Sequence, residues 1–109
     1  MENRRRFPRI DASFQIKYHP ISNISHFGYT IADDVSRGGL GMPALSEIAK
    51  NGSVIKLNIN NRDGDGVIAA TGKIKWSRAL KRKGVLDEKV GIEFLDISPF
   101  DIDRLVRIK

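Results

Sequence analysis

With 109 residues, 40% hydrophobic and 29% charged, the chain is sized for one domain with its own core and is too short for two. It has no cysteine, which removes disulfides, thiolate catalysis and zinc–sulfur sites. Its formal charge of +6 favours anionic partners (nucleic acid, a nucleotide or an acidic protein surface), and no apolar run approaches the roughly 20 residues that span a bilayer.

The chain opens on Arg4-Arg5-Arg6-Phe7-Pro8-Arg9, with four arginines and no lysine. Arginine carries a planar fork that pairs bidentately with phosphate oxygens and with the O6/N7 edge of guanine, a geometry lysine does not reproduce. Pro8 biases Phe7 toward extended backbone, so Arg5 and Arg9 are expected on one side of an extended stretch. The same segment also reads as a solvated basic tail. Its start imitates a twin-arginine export signal, but polar Asp11–Lys17 follows where an apolar stretch is required, so a cytoplasmic location is expected.

Period-two alternation then takes over. Phe14, Ile16 and Tyr18 share one face of a first strand, and a second is expected from Gly28 to Val35. A short third strand near Leu40–Pro43 leads into Leu45–Lys50, read as one helical turn or a loop. Val54, Leu57 and Ile59 sit in a fourth strand. Asn60–Gly66 has a hairpin-loop composition. Val67–Arg78 is a long fifth strand in which Ile74 and Trp76 are expected to share a face, with Trp76 in the core. After a charged loop over Lys81–Asp87, Val90, Ile92 and Phe94 form the last strand. A helix follows, with Ser98 as N-cap, Pro99 at its first position, Asp101 completing a capping box, and Ile97 with Ile102 as a hydrophobic staple. The expected architecture is all-β with a C-terminal helix: a single domain over 1–109. Residues 1–12 form a flexible Arg-rich arm, 13–97 a six-stranded antiparallel β-barrel and 98–109 the helix.

Between the second and third strands stands Asp34-Val35-Ser36-Arg37-Gly38-Gly39. Asp34 can accept from the N1–H and N2–H₂ donors of a guanine, and Ser36 offers a hydroxyl to a phosphate oxygen. Gly38 and Gly39 permit positive φ and close approach of backbone N–H groups to an anion. Asp, Ser and paired glycines are equally the ordinary residues of a strand-ending turn.

In order and spacing these segments resemble the PilZ domain family, bacterial receptors for cyclic di-GMP, marked by R-x-x-x-R near the start and [DN]-x-S-x-x-G on the barrel. Here the motifs read Arg5-Arg6-Phe7-Pro8-Arg9 and Asp34-Val35-Ser36-Arg37-Gly38-Gly39, and the resemblance continues through Gly72–Trp76, Val90–Phe94 and the closing helix. It implies a split barrel on which Arg5 and Arg9 clamp guanine edges and phosphates. Asp34 would read the guanine donor edge, Ser36 a phosphate, and Gly38-Gly39 would admit the ligand to the backbone. Arg4, just before the motif, is associated in the family with an intercalated ligand dimer, which implies two ligands per domain. Each bidentate Arg–guanine pair is worth about 1–3 kcal/mol of discrimination. The arm is expected to be mobile when empty and to order on binding.

No nucleophile–base–acid set suggests catalysis, and no metal or cofactor is expected beyond the cyclic di-GMP ligand. The Asn61–Gly66 segment imitates a calcium loop but has Gly72 where a bidentate glutamate is needed, and His19 and His26 lack a third ligand. The expected function is a non-enzymatic cyclic di-GMP receptor that changes conformation and signals in trans to a separate, unidentified protein, with motility or biofilm regulation as outputs suggested by the family. Two rivals stay open. One is a small basic barrel that holds nucleic acid through the arm and loses affinity steeply with salt. The other is a protein-interaction module with no nucleotide ligand. Neither rival needs the complete Asp-x-Ser-x-x-Gly turn.

Overall fold

The structure is a computed structural model and describes residues 10–11, 14–60, 66–80 and 87–106. The elements in chain order are β1 (Ile10–Asp11), β2 (Gln15–Pro20), β3 (Gly28–Ile31), β4 (Asp34–Ser36), β5 (Gly39–Leu45), β6 (Val54–Asn60), β7 (Val67–Ala79), β8 (Asp87–Asp96) and α1 (Pro99–Val106). All pairings are antiparallel, and the strands form one sheet in the order β1-β4-β5-β8-β7-β6-β2-β3, curled into a half-barrel.

Alternation positions the core. Ile16 and Tyr18 of β2, Ile55, Leu57 and Ile59 of β6, and Val90 and Ile92 of β8 all turn inward and are buried. The side-chain period of two puts every second residue on the core face, which fixes the register of each strand. Phe14 packs at the edge of this core, in line with the expectation for β2. The Tyr18 ring occupies the space beside Gly28, and its hydroxyl accepts the Leu45 N–H at 2.9 Å. After Leu45 one tight turn closes through the Ile48 and Ala49 N–H groups, both donating to the Leu45 carbonyl.

The expectation of six strands is corrected: among the described residues there are seven strands of three residues or more, joined by the two-residue β1. The strand expected over Gly28–Val35 is two. The Ala32 N–H donates to Phe14 O at 2.8 Å on the β2 side, and the next N–H, of Asp33, donates to Gly41 O at 2.8 Å on the β5 side. Backbone donors must be paired when taken from water, so the chain changes partner where it bends. The arm boundary also moves. Residues 10 and 11, expected to be flexible, pair with Val35 and Asp34, whereas residues 1–9 lie outside the described residues, as do 61–65 and 81–86 of the two expected loops.

Trp76 is a further correction. Ile74 opposes Ile92 while Trp76 opposes Gly91, so β7 spends one extra residue, Lys75, where β8 spends none. Such a bulge reverses the side-chain phase. Ile74 is buried, and Trp76, expected in the core, is 36% exposed on the outer face.

At the C-terminus, the Asp101 N–H donates to Ser98 Oγ at 3.0 Å, the expected N-cap. The reciprocal half of the capping box is replaced: Asp101 Oδ1 accepts from Arg104 at 2.9 Å. Leu105 is fully buried and α1 packs against β4. No helix among the described residues is long and apolar enough to cross a membrane.

Candidate functional site

The Asp34–Gly39 segment is a hairpin in which Ser36 opposes Gly39 across the Arg37-Gly38 turn. Ser36 is 6% exposed; its Oγ accepts the Gly38 N–H at 3.2 Å and lies 3.5 Å from Gly39 O, the edge of hydrogen-bond range. The hydroxyl thus braces the turn from inside. The turn glycines do not use the left-handed backbone open to them: among the described residues only Gly52 and Gly66 have positive φ. Gly39 meets a different need, because a Cβ there would lie 1.8 Å from Ile92 O. The hairpin is pinned to β8 at the same point, where the Phe94 N–H donates to Gly38 O at 2.8 Å.

Asp34 stands on the outer face and heads a row of register partners that crosses the sheet: Asp34 opposes Gly41, Gly41 opposes Gly91, and Gly91 opposes Trp76. The two glycines keep the middle of this row low. The Trp76 indole lies over Gly91, where a Cβ would be 2.2 Å from Nε1. Asp34 Oδ1 and Lys89 Cε each approach within 3.1 Å of the point a Gly41 Cβ would occupy. Lys89 is held there by a 2.7 Å ion pair with Asp33, and the Arg78 guanidinium sits 5.4 Å from the Trp76 ring centre. One aromatic ring, the carboxylates of Asp33 and Asp34 and two cations therefore gather over a glycine row that they cover, since Gly41 and Gly91 are both buried. Such a set can stack a planar base, accept from its donor edge and neutralise a phosphate.

Of the expected site residues, the structure brings together Asp34, Ser36, Gly38 and Gly39. Arg4, Arg5 and Arg9 lie outside the described residues. The strand that follows Arg9 is described, however, and its register sets Ile10 against Val35 and Asp11 against Asp34.

Sequence reasoning passed over Trp76 as a surface group, and it passed over Gly41, Gly91 and Lys89. The parity of Lys89 and Gly91 with the outward positions of β8 was available as a signal; the Lys75 bulge was not. Arg37 of the turn pairs through both terminal nitrogens with Asp103 of α1, a tie between residues far apart in sequence. A concavity of about 770 Å³ opens on the outer face, lined by Tyr29, Ile31, Asn58 and Asn60 among others. Its lining also includes Asp33 and Pro43, so it adjoins the Lys89 end of the glycine row, while none of the four motif residues lines it. No metal-binding group of side chains occurs among the described residues.

The half-barrel with its closing helix and motif hairpin defines a small all-β module. The PilZ domain family model matches residues 3–108, and the chain belongs to that family. Among solved structures it is similar to the inhibitor of motility MotI/DgrA of Bacillus subtilis (TM-score 0.73, 18% identity, 96% of this chain and 49% of that one). It is also similar to the PilZ domain with c-di-GMP of YcgR from Escherichia coli (0.69, 20%, 94% and 86%). A third neighbour is the MrkH–c-di-GMP complex of K. pneumonia (0.70, 16%, 95% and 50%). The chain thus spans about half the length of the first and third of these. No curated protein matches it in sequence.

Proposed function

We propose that this domain is a non-enzymatic receptor for cyclic di-GMP, acting in the cytoplasm and passing the signal in trans to a separate protein. The observation that carries the reading is the register of β1 on β4, which leads the chain from Arg9 directly onto the strand of Asp34 and Ser36. One guanine stacks against Trp76 with its N1–H and N2–H₂ edge toward Asp34. Arg5 and Arg9 take its O6/N7 edge and the phosphates, and Arg4 supports a second, intercalated ligand. Ser36 and Gly38 shape the turn that receives a phosphate. The two structural neighbours described with c-di-GMP support the ligand class.

Calorimetric titration of cyclic di-GMP, followed in parallel through the single tryptophan, tests the reading. Expected are saturable binding at micromolar concentration or tighter, about 8 kcal/mol or more, a stoichiometry near two, and a change in Trp76 emission. Arg9→Ala abolishes the binding and GTP does not compete. Absence of heat, of emission change and of any shift in melting temperature refutes it. A nucleic-acid role would show instead as affinity for oligonucleotides that falls steeply with salt and ignores base identity.

A further inference from the structure

Guanine presents three groups along its Watson–Crick edge: the O6 acceptor, the N1–H donor and the N2–H₂ donors. A carboxylate satisfies the two donors and repels the acceptor, so a carboxylate alone reads only part of the edge. Adenine places a donor where guanine has O6 and an acceptor where guanine has N1–H. A site that separates the two bases therefore gains from a cationic donor placed beside the carboxylate.

Lys89 meets that description. It projects from β8, where its register partners are Pro43 of β5 and Arg78 of β7, one row away from the Asp34–Gly41–Gly91–Trp76 row. Its stem nevertheless bends across to cover Gly41, with Cε as close to the glycine's missing Cβ as Asp34 Oδ1 is, both at 3.1 Å. The side chain is 17% exposed, and Asp33 Oδ2 holds its ammonium at 2.7 Å. An ammonium carries three donors, of which the Asp33 contact uses one. Lys89 is largely covered whereas Asp33 is 48% exposed, so the pair leaves two ammonium donors held close to the motif carboxylate. A lysine drawn over a glycine beside the motif carboxylate is explained better by what it offers a ligand.

We propose that Lys89 donates to O6 of the guanine whose N1–H and N2–H₂ groups Asp34 accepts, so that the two side chains together select guanine over adenine. Lys89 is then a specificity-determining residue and Asp33 its positioning partner. The inference rests on the receptor reading above and adds a residue outside both motifs.

The test compares cyclic di-GMP, cyclic di-AMP and cyclic di-IMP, which keeps O6 and N1–H but lacks the N2 amine, on wild type, Lys89→Met, Lys89→Arg and Asp34→Asn. In Lys89→Met the preference for cyclic di-GMP over cyclic di-AMP falls about tenfold, corresponding to one lost base contact. The loss is equal for cyclic di-IMP, which retains O6. Lys89→Arg, which keeps a cationic donor, restores most of the preference. Asp34→Asn does the converse and erases the difference between guanine and hypoxanthine. If wild type fails to bind cyclic di-GMP, the receptor reading itself falls. If wild type binds and Lys89→Met either keeps its preference or weakens for all three dinucleotides alike, with an unchanged melting temperature, the role given to Lys89 is overturned.

Discussion

Two glycines of the same strand make opposite predictions, and Gly39→Ala is the sharper. The added methyl would stand 1.8 Å from Ile92 O and 2.9 Å from its carbonyl carbon, where ordinary contact begins at 3.4 Å. Both obstacles are backbone, so β5 and β8 must part by roughly 1.5 Å, which takes bonds near 2.9 Å out of hydrogen-bond range. Losing two such bonds, at about 1 kcal/mol each, adds to an overpacking cost of about 1–3 kcal/mol, for a total of about 3–5 kcal/mol. In a domain of this size that lowers the melting temperature by roughly 12–20 °C. In Gly41→Ala the new methyl meets only the ends of Asp34 and Lys89 at 3.1 Å, which can swing aside. Its stability cost stays below about 1 kcal/mol, while cyclic di-GMP affinity falls at least about tenfold, near 1.4 kcal/mol, because the methyl displaces the Asp34 and Lys89 side chains. Thermal unfolding of both variants, with a titration on each, reads the contrast. Melting temperatures within about 4 °C of each other would refute the packing argument.

Two further outcomes follow from single contacts. Tyr18→Phe strands the Leu45 N–H in a site where Tyr18 is 1% exposed, costing about 1–3 kcal/mol in urea unfolding and speeding hydrogen exchange at Leu45. Ser98→Ala removes the acceptor of the Asp101 N–H and costs about 1 kcal/mol, which Ser98→Asp recovers in the same denaturation assay.

Strands with strict alternation were legible because burying Ile16 and Tyr18, or Val90 and Ile92, dictates both the element and its inward face. The helix start was legible from Ser98-Pro99, although Asp101 turned to Arg104 because a nearby guanidinium offers a charge-assisted bond. The single-residue bulge at Lys75 carried no glycine or proline to mark it, so the phase of Trp76 was read wrongly. The bend at Ala32–Asp33 hides in a stretch where both halves are extended and only the partner changes. The motif turn was legible as chemistry. Its environment was not, because Lys89, Gly41 and Gly91 gain meaning only from the register that sets four strands side by side.

The partner change at Ala32–Asp33 reaches further than the count of strands. The first half of that segment belongs to one end of the sheet order and the second half lies near the other, so peptide bonds stitch the seam of the wall. A ladder can unzip one rung at a time, whereas a covalent seam yields only by pivoting. The strand bearing Asp34 is therefore joined by covalent backbone to exposed Tyr29 and Ile31 on the opposite flank. Ile31 stands three residues before Asp34, so the carboxylate's strand and that flank share one continuous stretch of backbone.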